Sequence, residues 1–466
     1  EEVFRYVEQH TESVAARLAA LRGLSRCVYR RADFEGACAL TNEAVAEARA
    51  SGDLYELAVS RRVWAAVRAV SSEPEGAAEA LIDAAGVFRE LEALRDEAQC
   101  EYLLAWHFSA QEQPEPTLVA ARRAADAAEN LGDVRLGLES RWLLGVATAD
   151  LGDVAEAQRI MEKLLEDSRR AGVLDSIRCT AETLVNIHIE RGNLTEAAEV
   201  LKLQGRLANS CAEPIARFWQ QETRGELLAH QGDLAAAAAT MDEALARPVD
   251  YWNASLVVGA NCHRSTVAWA LGDSAGGEAA LARAQQYLTA DGDEVGLEML
   301  CRIASAGRAI VATSPEAAGS AMEPLVRLRR GYEGGDRRSS QWRIQAKLVE
   351  ANLGRWTDMF DKLVTSGDLY FIASDGGWFR TPEGTWVSLR LRLRLVAMLA
   401  CLARHEVASV EVIVAEVWEG EVMTPSSALN RIRATISMLR SEGLGALIQH
   451  NADGYFLDRE HCYVYE

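Results

Sequence analysis

The stretch LGDVAEAQ (residues 151–158) sets a Gly-Asp turn, Gly152-Asp153, between two helical patterns. Stepping by forty residues from Asp153 lands on Asp33, Glu73, Gln113, Asn193, Asp233 and Asp273, all polar. Four residues after each turn stands a small residue: Ala37, Ala77, Thr117, Ala157, Ala197, Ala237 and Gly277. Eight residues before each stand Ser25, Ala65, Ala105, Gly145, Val185, Gly225 and Ser265. A second set of breaks falls half a step on, at Gly52-Asp53, Gly132-Asp133, Gly172, Gly292-Asp293 and Gly335-Asp336. Two turns per step leave room for two helices of roughly 14 to 17 residues, and small residues at fixed places let their backbones approach closely. Such pairs bury a core only by stacking on their neighbours, which predicts a solenoid.

The copy SRWLLGVATADLGDVAEAQRIMEKLL (140–165) resembles a tetratricopeptide repeat: Trp142 and Leu144-Gly145 in the first helix, the Gly-Asp turn, then Ala157 in the second. The forty-residue step is longer than the usual period and is similar to the long repeats of MalT-type signalling ATPases and related bacterial regulators. The resemblance covers residues 14–336. An eighth step lands on Thr313, flanked by Ser305 and Ala317, and residues 337–367 read as an irregular capping pair. The least regular copies are the third, with the Pro-rich turn SAQEQPEP, and the eighth. The expected fold is mainly α: a TPR-like solenoid of about eight repeats over 1–367, then a small α+β domain over 368–466.

Composition agrees with a globular chain. Of 466 residues, 49% are apolar and 25% charged, which excludes wholesale disorder. No apolar run approaches the roughly 20 residues needed to span a bilayer, and no signal peptide opens the chain, so a cytoplasmic protein is expected. The chain starts at Glu1 rather than Met, as expected of a piece of a longer protein. Its nine cysteines (27, 38, 100, 179, 211, 262, 301, 401 and 462) are scattered without a CxxC pair, the pattern of reduced thiols rather than of disulfides or zinc.

After residue 368 the texture changes. Short β-like runs are broken at Asp375-Gly376-Gly377 and Pro382-Glu383-Gly384. Helical patterns follow over 392–404, 409–418 and 426–441, and LIQHNADGYFLD closes the chain with two β runs about an Asn451–Gly454 turn. Sheet, three helices and hairpin, with GTWVSLRLRLRLVAML, VEVIVAEVWEG, ALNRIRATISMLR and DGYFL at the matching places, resemble the winged helix of OmpR-type response regulators. The resemblance implies a third helix that enters the DNA major groove and a wing that meets the backbone. Ile432, Ile436 and Leu439 fall on one face and read as core. Asn430, Arg431, Arg433, Thr435, Ser437 and Arg440 then become the expected DNA-contacting residues, with help from Arg392 and its neighbours Arg390 and Arg394. A helix approaching phosphates must be locally basic even in a chain of net charge −20. The module itself, with nine Arg and thirteen Asp plus Glu, is −4, and Asp453 sits at the wing tip.

No catalytic constellation stands out. GDSAG (272–276) matches a nucleophile elbow, but helical STVAWAL precedes it where a strand is required, and Asp273 belongs to the repeat register. All four lysines precede Leu, so there is no P-loop, and His188 stands alone. Trp64, Trp106, Trp142, Trp219 and Trp269, near the first helices, read as core. Neither cofactor nor metal is implied. The expected function is a non-enzymatic regulator whose solenoid binds a protein, peptide or small effector while the terminal module binds double-stranded DNA. The alternative is an interaction scaffold, or the sensing part of a larger signalling ATPase or effector, with the module docking protein. The net charge of −16 over 1–367 favours basic or neutral ligands.

Overall fold

The computed structural model describes residues 1–29, 33–69, 75–210, 214–246, 254–288, 295–331 and 339–465. Glu73, Cys211, Gly292-Asp293 and Gly335-Asp336 of the sequence pattern lie outside them. The chain forms two compact units, Glu1–Ala304 with 334–348, and Ser305–Glu333 with Val349–Glu466.

The first unit is a TPR-like α-solenoid. Its first helices are Val14–Tyr29, Leu54–Arg68, Leu94–Ala110, Val134–Asp150, Leu174–Arg191, Pro214–His230 and Ala254–Ala270. Each is followed by a second helix, of which Val154–Ala171 and Leu234–Leu245 are examples. The polar register residues are caps: Asp33, Asp153, Asp233 and Asp273 accept backbone N–H bonds from Gly36, Glu156, Ala236 and Gly276. Asp53 and Asp133 do the same at the half step. Each satisfies a donor that a helix start leaves open.

The small residues lie where helices meet. Ser25, Ala65, Ala105, Val185 and Ser265, like Ala37, Ala77, Ala157, Ala197 and Ala237, are fully buried. A Cβ on Gly145 would stand 2.6 Å from Met161 Cε, and one on Gly277 would stand 2.4 Å from Trp269 Nε1. Small size here sets the spacing within a pair. In the third repeat Glu112, at φ 52°, adopts the left-handed turn conformation that Gly152, Gly232 and Gly272 supply elsewhere. The Pro-rich turn is therefore regular in shape, with Pro114 at the helix start where no N–H is needed. In the eighth repeat the register slips by one. Ser314, not Thr313, caps the helix Pro315–Arg330, and Ala318 rather than Ala317 is buried.

In the second unit, strands β1 (Tyr370–Ala373), β2 (Trp378–Arg380), β3 (Trp386–Ser388) and β6 (Cys462–Tyr465) form one sheet, ordered β3-β2-β1-β6. β1 pairs antiparallel with β2 and parallel with β6. The pair with β6, whose partners are 92 residues away, has no signature in the local sequence. Helices Leu393–Arg404, Val410–Val417 and Pro425–Leu439 come next, then the hairpin β4 (Ile448–His450) and β5 (Tyr455–Leu457) about Asn451–Gly454. Ile372, Phe379, Leu399, Ile413, Ile432, Ile436, Leu439 and Leu457 share one core.

The units do not follow the boundary expected at 367/368. Helices Pro315–Arg330 and Thr357–Ser366 group with the sheet, and Trp386 packs on the bare backbone of Gly319. Residues 339–348, expected in a capping pair, group instead with the first unit.

Candidate functional site

First helices of successive repeats are joined by ion pairs that follow the forty-residue step. Arg22 pairs with Glu56 at 2.7 Å, and Arg62 with Asp96 at 2.6 Å, the same pair one repeat on. Off that step, Arg95 pairs with Asp133 at 2.9 Å. Together these helices line an open cavity of about 590 Å³, contributed by four consecutive repeats, with Arg26, Arg62, Tyr102, Trp106 and Arg135 at its wall. Of the tryptophans read as core, only Trp269 is fully buried. Trp64, Trp106, Trp142 and Trp219 are half-buried. Trp106 and Trp142 lie with ring centroids 5.5 Å apart, and Arg178 stacks on Trp219 at 5.0 Å. Amphipathic rings at a wall combine apolar area with a polar tip, which a core position does not use. The half-step spacing alone did not separate the two roles.

Further along, the first helices bury charge. His263 hydrogen-bonds Glu222 through Nδ1 at 3.1 Å, and its Nε2 lies 3.2 Å from a Glu226 carboxylate oxygen. Burial works against its charging, but Glu226 and Glu222 outweigh burial and hold its pKa up at about 9. Burial raises Glu182 to about 7, with Arg178 opposing, and lowers His230 to about 4. Glu222, Glu226 and His263 can each offer one ligand atom, all within 4.8 Å of one another, a spacing that a metal ion could also use. The cluster is a buried ion-pair relay. Cys401, His405 and Glu416 make a second potential ligand group in the other unit. There His405 Nε2 and Glu416 are already engaged at 2.7 Å.

The helical segment 340–348 lies across the C-terminal ends of these first helices. Ser340 donates its N–H to Asp150 Oδ1 and its hydroxyl to Glu190 Oε2, both at 2.9 Å. Arg343 donates to the Glu190 carboxylate and, at 2.6 Å, to the Ala149 carbonyl. Lys347 donates to the Glu190 carbonyl, and Gln345 donates to Thr266 Oγ1 at 2.7 Å. Ile344 packs with Val185, Ile189 and Leu227, and Leu348 with Ala229 and Val267. Burial lifts the Asp150 carboxyl to about 6, against the Ser340 N–H and Arg343. Sequence reasoning missed this site. Its signal was the cationic and apolar alternation in WRIQAKL, which the capping reading absorbed.

In the second unit, Asn430, Arg431, Arg433 and Ser437 are exposed on the helix Pro425–Leu439, and Arg440 is exposed just beyond it. Arg431 pairs with Glu421, which also takes Arg394 at 2.7 Å. Arg392 pairs with Glu442, Arg390 with Glu316, and Arg440 donates to the Ile448 carbonyl at 2.8 Å. Thr435, expected on the outer face, is instead buried, and its hydroxyl donates to the Arg431 carbonyl at 2.9 Å. It lies three residues past Ile432 and four before Leu439, on the core stripe. GDSAG forms no elbow: Ser274 opens a helix that follows another helix. Among the described residues no helix is long and apolar enough to cross a membrane.

No family model and no curated protein matches the chain. Among solved structures it is similar to a Rap protein complexed with competence and sporulation factor, with 16% identity, TM-score 0.49, and 64% of this chain and 80% of that one covered. It is also similar to aspartyl phosphate phosphatase F from Bacillus subtilis, with 14% identity, TM-score 0.48 and coverage of 59% and 72%. NprR in complex with its cognate peptide NprX gives 12% identity, TM-score 0.44 and coverage of 75% and 98%. Likeness at this level is one of helical course alone.

Proposed function

We propose that the chain is a non-enzymatic regulator. Its repeat unit binds a protein or peptide segment along the first helices, and its C-terminal module works as a winged helix on duplex DNA. The observation that carries the ligand reading is the open cavity of about 590 Å³ walled by first helices of four consecutive repeats. An extended ligand meets one set of side chains per repeat there, at a wall that carries Arg26, Tyr102, Trp106 and Arg135. For DNA, the support is a helix with one face fixed in a core and Asn430, Arg431, Arg433 and Ser437 presented on another. Side chains of these types reach base edges and phosphates in a major groove. The test is an electrophoretic shift of random-sequence duplex at low salt. Binding that weakens steeply with salt and disappears in Arg431→Glu/Arg433→Glu supports the reading, and its absence from the folded wild-type chain rejects it.

A second reading, a module that docks protein, is favoured by the pairing of Arg392, Arg394 and Arg431 with Glu442 and Glu421. Arginines already neutralised by neighbours offer less to phosphate. A partner retained on the module at salt that abolishes DNA contact would select that reading.

A further inference from the structure

The segment 340–348 meets the repeat unit as a ligand would. Every hydrogen bond described above runs to a first helix, and the sequence separations are 79 to 194 residues. Two of the acceptors, the Ala149 and Glu190 carbonyls, belong to the last turns of Val134–Asp150 and Leu174–Arg191. Helix C-termini leave carbonyls open and carry partial negative charge, so they select cations. Arg343 and Lys347 supply them. The buried Glu190 carboxylate and the half-buried Asp150 carboxyl then accept from the Ser340 and Arg343 donors. The apolar residues that follow the cations, Ile344 and Leu348, fill hollows lined by Val185, Ile189, Leu227 and Val267. The repeats do not need this segment to complete their own helix pairs. The seat is also larger than its occupant: beside residues 339–342 a cavity of about 290 Å³ remains, walled by Gln113, Trp142, Asp150 and Glu182.

We propose that the seat formed by Asp150, Glu190 and Thr266 is a receptor for a basic amphipathic helix. Residues 340–348 hold it in cis, and a partner segment of the same chemistry exchanges with them. The partner places a hydroxyl at the helix start, cations three and seven residues later and a branched apolar side chain directly after each cation, and it extends into the 290 Å³ cavity. A partner lacking the cations would leave the buried Glu190 carboxylate without its ion pair, which costs more than the apolar contact returns. The seat is a second site, apart from the 590 Å³ cavity of the ligand reading proposed above, so the two fail separately.

The test uses the full chain and a fluorescent synthetic peptide of residues 339–351, followed by anisotropy. Arg343→Glu/Lys347→Glu, which repels the cis segment from Glu190, is expected to bind the peptide at least tenfold tighter than the wild-type chain. Adding Glu190→Gln is expected to remove that gain. Equal binding by wild type and double variant, or none by either, overturns the proposal. Should the double variant not fold, hydrogen exchange on the wild-type chain decides. Amides of 340–348 exchanging a hundredfold faster than those of Leu174–Arg191 report a segment that leaves its seat, and exchange at one common rate overturns it.

Discussion

Arg380 closes a two-pronged pair on Glu323, with Nε 2.9 Å from one carboxylate oxygen and Nη2 2.8 Å from the other. The guanidinium is almost wholly buried and donates also to the Gly367 carbonyl at 2.9 Å. Trp386 adds its indole N–H to the same carboxylate at 3.3 Å. A buried charge pair of this kind fixes an arrangement more than it stabilises one, yet removal of one partner strands the other. Glu323→Ala is therefore expected to destabilise the second unit by about 3–5 kcal/mol. Urea unfolding followed by tryptophan fluorescence would check this, with Glu323→Gln expected to lose less because its amide oxygen still accepts.

On the basic helix, Arg433 is exposed, whereas Arg431 is held by Glu421. Arg433→Ala is expected to weaken duplex binding across sequences and lower the salt slope by about 1. Glu421→Gln releases both Arg431 and Arg394 and is expected to tighten binding. A titration at three salt concentrations separates these outcomes, and an unchanged slope for both variants would remove the helix from the interface.

His263 sets a pH dependence of known sign. Its folded pKa, about 9, lies above the ordinary histidine value, so the folded state holds the extra proton between about pH 6.5 and 9. His263's own contribution is complete below that window and lost as pH rises through it, while Glu226, raised by burial to about 7, adds a loss of stability between about pH 4.5 and 7. His230, which stays neutral well below its usual value, acts in the opposite sense only between about pH 4 and 6.5. The urea midpoint of the wild-type chain is expected to fall from pH 7 to 9.5 by the equivalent of about 2 kcal/mol, and His263→Gln to flatten that fall.

Gly277 is pressed by Trp269, with three indole atoms within 2.7 Å of where a Cβ would stand. Gly277→Ala is expected to cost about 1–3 kcal/mol by overpacking, despite the roughly 1 kcal/mol that alanine gains in a free helix. Glu112→Gly, by contrast, relieves a left-handed residue in a turn and is expected to stabilise by up to about 1 kcal/mol. Thermal melts of both variants compare the two directions.

Much of the repeat unit was legible because its caps and small residues recur at one interval, so each copy supports the reading of the next. Asp153 and Ala157 could be interpreted from their own neighbourhood. The Arg380–Glu323 pair could not. It joins residues 57 apart with no local pattern, and it moves Pro315–Arg330 out of the expected solenoid. The 340–348 segment escaped for the same reason, since its partners lie up to 194 residues away. Thr435 shows a different failure. A polar side chain was assigned outward by type, although its place between Ile432 and Leu439 was that of a core position. Of the tryptophans read as core, Trp269 lies inside it, and Trp64, Trp106, Trp142 and Trp219 pack against it from the edge.

Because Arg22–Glu56 and Arg62–Asp96 are one contact repeated at a fixed stride, the repeat unit can be shortened without inventing a new junction. Excision of residues 54–93 would bring Asp53, itself a helix-start residue, onto Leu94 in the place Ala93 now holds, and Arg22 onto Asp96 in the place of Glu56. Length in this part of the molecule is thus a countable variable. Ligand reach along its wall can be titrated one whole unit at a time, whereas removal of thirty-six residues would turn each small side chain away from its neighbour.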